Sequence, residues 1–179
     1  GMLKKAGLST VFLQFDGTED QIYRKLRGRP LLGVKEKAVE NCSFHRLGVV
    51  LVPTLVPGVN SANVGSIIKY ALNNLPSVRG VHFQPVSYFG RYPAPPADGN
   101  RITLPEVIRA IESQTDGLCH SEHFSPAGCE NSLCSFHGDF LVEEKGTLTP
   151  LTRRVKDCCS GADRLQLVTA AQKRDVVRK

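Results

Sequence analysis

Residues 49–55 form a nearly continuous apolar run, rich in valine and bounded by turn residues, and no other stretch constrains the fold as strongly. A strand of that composition has no polar face to turn to water. It reads as a strand buried on both faces, as in a parallel sheet. Residues 11–16 read as an earlier strand ended by Gly17, and residues 78–84 as a later one. Between the first two, Thr18 with Gln21 three residues on forms a capping box that predicts a helix over 19–27, broken by Gly28 and Pro30. A second helix is expected over 31–46, with Leu32, Lys35, Val39 and Cys42 at helical spacings and Gly48 as its stop. Between the second and third strands, Pro57-Gly58 with Asn60 or Ser61 as N-cap leads into a helix over 62–74. Its apolar stripe is Val64, Ile67, Ile68, Ala71, Leu72 and Leu75. Strand–helix–strand units in series predict an α/β architecture with right-handed crossovers.

Beyond the third strand the texture changes. Residues 85–100 are dense in proline and glycine, too much so for a regular element, and long enough for a functional loop. Thr103 and Glu106 form another capping box, predicting a helix to about Gln114. Residues 116–137 read as loop, 140–144 with 147–151 as a hairpin, and 161–173 as helix. The expected division is a core over 3–115 and a cysteine-rich extension over 116–179.

Composition narrows the function classes. With 41% hydrophobic and 22% charged residues, the chain fits a globular protein rather than a disordered, collagen-like or coiled-coil one. Its longest apolar stretch, 47–59, contains two prolines and falls short of a bilayer span. No basic leader with an apolar core opens the chain, so the expected compartment is the cytoplasm and no membrane partner is expected. The net charge of +6 is spread out apart from Lys173, Arg174, Arg178 and Lys179. Aromatics are not interleaved with the basic residues, which argues against a nucleic-acid grip.

In a parallel α/β sheet, functional groups gather where strands end and loops begin. Those ends are polar here. Gln14 and Asp16 fall on one face of the first strand, His82 and Gln84 on one face of the third, with Thr54 and then Val56-Pro57-Gly58 between them. Each alone could be structural, Gln14 or Gln84 satisfying nearby backbone and His82 packing in a core. Converging on one rim, they form a candidate ligand site.

Gln14-Phe15-Asp16-Gly17, followed by Tyr23-Arg24-Lys25-Leu26-Arg27-Gly28, resembles the fourth-strand region of radical S-adenosylmethionine enzymes. Leu51-Val52-Pro53-Thr54-Leu55-Val56-Pro57-Gly58-Val59-Asn60 resembles their fifth strand, and His82-Phe83-Gln84-Pro85 their sixth. The subgroup most similar has a QFDG strand and later cysteines, and includes radical methyltransferases acting on pterins and enzymes of lipid coupling. The resemblance implies a partial, half TIM-type barrel of parallel βα units, and a C-terminal half of such an enzyme. Cofactors of the intact enzyme would be S-adenosylmethionine and a 4Fe-4S cluster, which together generate a 5′-deoxyadenosyl radical that attacks a small-molecule substrate. Gln14 and Asp16 would face the ribose or cluster side of the cofactor, the Val56-Pro57-Gly58 backbone would pack on adenine, and His82 and Gln84 would lie near the base or substrate. None of the six cysteines has the CxxxCxxC spacing that binds the catalytic cluster. The chain alone is therefore expected to be inactive, and its expected partner is a missing N-terminal half. Until that half covers it, the open sheet edge is expected to self-associate.

Cys129 and Cys134, with Cys158 and Cys159 downstream, supply four thiolates for an auxiliary iron–sulfur cluster or zinc, with His137 as a substitute. Free or incidentally oxidised cysteines are the other reading. Cys42 stands apart on a helix and reads as a packed residue. Two rivals from other classes are a non-catalytic metal-binding or interaction module and, more weakly, a nucleic-acid binder.

Overall fold

The computed structural model describes residues 1–90, 95–126, 134–143, 146–152, 154–156 and 163–165. The chain divides into two units, Gly1–Ala110 and Ile111–Lys179.

The first unit is built on a parallel sheet. A short helix α1 (Met2–Lys5) precedes strand β1 (Thr10–Gln14), helices α2 (Asp20–Arg27) and α3 (Leu32–Phe44), and strand β2 (Gly48–Val52). Strand β3 (Thr54–Leu55), helix α4 (Val64–Asn73), strand β4 (Val78–Val81) and strand β5 (Gln84–Pro85) follow. The sheet order is β1-β2-β4, with β3 and β5 pairing beyond it, and every one of these pairings is parallel. Leu51 sits opposite Leu13 on one side and Val81 on the other.

The run 49–55 is one extended segment in two pieces, and Pro53 is the reason. Proline has no N–H to give the ladder. β2 therefore ends at Val52 and β3 starts at Thr54, whose own N–H donates to Asp16 Oδ1 at 3.2 Å. Pro53 still accepts through its carbonyl, from Gln84 N at 2.9 Å, so the strand tips stay in step.

One face of the sheet carries the core. Phe15, Val39, Val49, Leu51, Ile67, Ala71 and Val78 are buried together, with Leu13, Tyr70, Val81 and Phe83 against them. Phe15 stacks on Tyr70, ring centroids 4.6 Å apart, and meets Tyr23 edge-on at 6.5 Å. Strand alternation puts Phe12, Gln14, Val50 and Val52 on the opposite face, where Phe12 is 70% exposed. Among the described residues the helices packed on this core, α3 and α4, lie on one face of the sheet, and the expectation that β2 is buried on both faces is met only in part, with Val50 and Val52 half-buried. Among the described residues β1 and β4 are unpaired on their outer edges, and no closed barrel forms.

Several local expectations are corrected. Thr18 does not cap α2, which begins at Asp20 with Glu19 at its N-cap and no side-chain cap. Thr18 N and Oγ1 both donate to Asn63 Oδ1 instead, at 2.9 and 3.2 Å. Asp20 Oδ1 accepts from Leu31 N and Leu32 N, each at 2.9 Å, tying α2 to the start of α3. α3 ends at Phe44 rather than Arg46. The chain turns at Arg46, with φ +52°, and Gly48 is already in β2. A 3-10 turn, Ser61–Asn63, precedes α4.

Helix α5 (Leu104–Gln114) has the capping box expected of it: Thr103 N and Oγ1 each donate to Glu106 Oε2 at 2.7 Å. These bonds hold the Glu106 carboxyl below its ordinary pKa.

The second unit is made of short antiparallel pairs. β6 (Ser125–Pro126) pairs with β7 (Phe136–His137), so the 116–137 stretch is less irregular than its sequence reads. β8 (Phe140–Val142) pairs with β9 (Leu148–Pro150) as the expected hairpin, with Gly146 at φ +78° in the turn. β10 (Arg154–Lys156) pairs with β11 (Asp163–Leu165). The helix expected over 161–173 is contradicted at Asp163–Leu165, which is strand, and its other positions lie outside the described residues. Among the described residues no helix is long and apolar enough to cross a membrane.

Candidate functional site

The carboxyl tips of β1, β3 and β5 lie side by side. Phe15 N donates to Val52 O, His82 N to Leu51 O and Val86 N to Leu55 O, at 3.2, 2.8 and 2.9 Å. Gln14 is level with Val52, and Gln84 with Thr54. His82 follows Val81, which packs on the core, so alternation turns His82 to the other face. Gln14, Thr54, His82 and Gln84 therefore share the face opposite the core, and Gln14, His82 and Gln84 are exposed. Among the described residues their side chains make no hydrogen bond, which leaves amide and imidazole groups open to a ligand. Val56 and Pro57 are half-buried beside them, and Gly58 sits at φ +69°, a conformation that costs glycine nothing.

Asp16 sits differently from the rest of the rim. It is fully buried, and both carboxylate oxygens are engaged. Arg27 Nε donates to Oδ2 at 2.8 Å and Arg27 Nη2 to Oδ1 at 3.1 Å, while Thr54 N takes Oδ1 as well. The bond to Asp16 raises the Arg27 guanidinium above its ordinary range. Asp16 thus braces the rim from behind, joining the end of β1 to α2 and to the start of β3.

Two asparagines complete the brace: Asn60, which sequence reading offers as a turn or N-cap residue, and Asn63, which it places inside the helix expected over 62–74 and which lies in the 3-10 turn before α4. Asn60 is 1% exposed. Its Nδ2 donates to Asp16 O and to Thr54 O, both at 2.8 Å, and its Oδ1 accepts from Val56 N at 2.7 Å. Asn63 holds Thr18 across 45 residues. Tyr23, wholly buried, donates its hydroxyl to Gly17 O at 3.0 Å. Burial pushes the Tyr23 phenol well above its ordinary range, so it remains a donor. Gly17 leaves little room: a β-carbon there would displace the end of the Ile22 side chain and stand 3.0 Å from Asn63 Oδ1.

The proposed metal ligands are only partly visible. Cys129, Cys158 and Cys159 lie outside the described residues, and Cys134 is an exposed free thiol. Among the described residues no group of three or more His, Cys, Asp or Glu side chains could hold a metal ion. The histidines nearby are used locally. His120 Nδ1 lies 3.2 Å from Glu112 Oε1, and His120 N donates to His123 Nδ1 at 3.1 Å. Burial, then the neighbouring His120, lowers the His123 pKa. His137 Nδ1 is buried without a hydrogen-bond partner among the described residues. Cys42 packs at the edge of the core, and burial raises its thiol pKa.

No family model matches the chain. A curated protein does: 7,8-dihydro-6-hydroxymethylpterin dimethyltransferase of Methanocaldococcus jannaschii is 41% identical over 174 aligned positions, covering 84% of this chain. The similarity is to a methyltransferase. This chain spans 34% of that relative's length, about a third of it.

Proposed function

We propose that the chain is the C-terminal part of a radical S-adenosylmethionine enzyme of the methyltransferase kind, and that its strand tips are one wall of the cofactor and substrate pocket. The observation that carries this reading is the convergence of Gln14, Thr54, His82 and Gln84 on the face of a parallel sheet opposite its core. Likeness to a much longer methyltransferase supports it. In this reading the sheet is half of a TIM-type barrel, and the exposed Phe12, Gln14, Val50 and Val52 face belongs to its interior, completed by a segment N-terminal to the part described.

The residues present fit a nucleoside. Planar amides at Gln14 and Gln84 and the His82 imidazole can pair with ribose hydroxyls and base edges, and the Pro57-Gly58 turn lets backbone approach a flat ring. When bound with its cluster, S-adenosylmethionine supplies the radical chemistry. This chain's residues bind and orient, and Asp16 acts through Arg27 and Thr54 rather than by touching the ligand. The working activity of the longer protein is methyl transfer of the type in the relative's name, with a pterin as the working substrate.

S-adenosylhomocysteine, added to this chain, is expected to bind weakly, because half a pocket desolvates half a ligand. Amide shifts should change at Gln14, Val56, Gly58, His82 and Gln84 and nowhere else in the first unit. No change, or change centred on α3, overturns the pocket.

Cys129, Cys134, Cys158 and Cys159 are proposed as ligands of an auxiliary iron–sulfur cluster or zinc, because thiolates suit soft metals. Anaerobically purified protein should carry iron or zinc, and Cys129→Ser or Cys134→Ser should lower it. Neither metal above background overturns this part.

A further inference from the structure

We infer that Asn60 is the positioning residue of the rim, the side chain that sets the Val56–Gly58 turn against the strand tips. This rests on the pocket reading above and deepens it. An asparagine side chain carries two N–H donors and one carbonyl oxygen. All three are engaged here, and each ties down a different strand-end group. One donor takes Asp16 O, where β1 has ended, and the other takes Thr54 O in β3. The acceptor takes Val56 N, the first amide of the turn. On the β5 side the sheet ladder continues past this point, with Gln84 N and Val86 N among its donors. On the β1 side the tips are joined through side chains, Asn60 and Asp16. Asn60 is 1% exposed, so it meets no ligand, and its effect on binding passes through the backbone it holds. The chemistry is specific to an amide. Aspartate could still accept from Val56 N but would aim a carboxylate at two carbonyl oxygens, and alanine would leave all three groups without a partner.

The test compares the intact 179-residue chain with its Asn60→Ala and Asn60→Asp variants. Hydrogen exchange at the Val56 amide should quicken at least about tenfold in Asn60→Ala and stay close to wild type in Asn60→Asp. The Leu51 and Phe15 amides, held in the sheet, should keep their protection in both. S-adenosylhomocysteine affinity should fall roughly tenfold in both variants, an effect that a purely local stability role would not produce while Leu51 protection is unchanged. Val56 exchange that does not respond to Asn60→Ala, or affinity equal to wild type in two folded variants, overturns the assignment. A wild-type chain that does not bind S-adenosylhomocysteine overturns the pocket reading instead, and the Val56 exchange of the Asn60→Ala variant then decides the positioning role on its own. If Asn60→Ala does not fold, the Asn60→Asp affinity decides.

Discussion

Replacing Asp16 with alanine is expected to lower the unfolding free energy by about 2–3 kcal/mol, read as a drop in the urea midpoint at unchanged slope. Two losses combine. Thr54 N, which follows a proline and has no strand partner in its place, loses its acceptor in a half-buried setting. Arg27 loses both of its bonds. Its side chain is 34% exposed and can return to water, so the ion pair itself contributes less than a sealed one would. Asp16→Asn keeps one acceptor for Thr54 N and should lose about half as much. Because the brace sets the rim, S-adenosylhomocysteine binding should weaken in step with the rim and not with global unfolding. An Asp16→Ala variant with wild-type stability would show that the brace is incidental.

The second large effect is on association. A parallel sheet covered on one face is unusual in a stable domain, because the uncovered face leaves apolar side chains in water. Phe12 stands on the face opposite the core, 70% exposed, next to the edge of β1 that has no partner among the described residues. The isolated chain is expected to self-associate through this face and edge, and Phe12→Glu to return it to monomer. Burying a phenylalanine contributes about 2 kcal/mol per protomer. Across a symmetric pair that makes the variant's dissociation constant larger by a factor on the order of a thousand. Sedimentation velocity over a range of concentrations reads it directly. A wild-type chain that sediments as a monomer throughout would refute the expectation, as would a Phe12→Glu variant that associates as before.

What was legible in the sequence was what short-range chemistry decides. The valine-rich run put the start of β2 within a residue of its place but missed its end at Val52, where Pro53 divides the run, and the apolar stripe from Val64 to Ala71 gave α4 because burial follows helical period. Thr103 and Glu106 are three residues apart and meet, as capping boxes do. Thr18 and Gln21 have the same spacing and do not, because Asn63 offers Thr18 a partner that no local pattern announces. Asn60 was legible as a turn or N-cap residue and Asn63 only as a position in the helix expected over 62–74, and neither was legible as a cross-link, since their partners lie up to 45 residues away. Arg27, one position before the left-handed Gly28, was visible only as a helix end. A signal did exist: the β1 ladder ends at Gln14 opposite Val52, so Thr54 N, which faces that side, needs an acceptor from a polar residue just past the β1 tip.

The brace and the open face draw on different side chains, and this separates two kinds of change. Asp16, Arg27 and Asn60 have committed their hydrogen bonds to the chain's own backbone and to one another. The side chains of Gln14, His82 and Gln84 have committed none among the described residues. Drift or engineering can therefore rewrite the surface of the proposed pocket at those three positions, while the scaffold that presents them stays as it is.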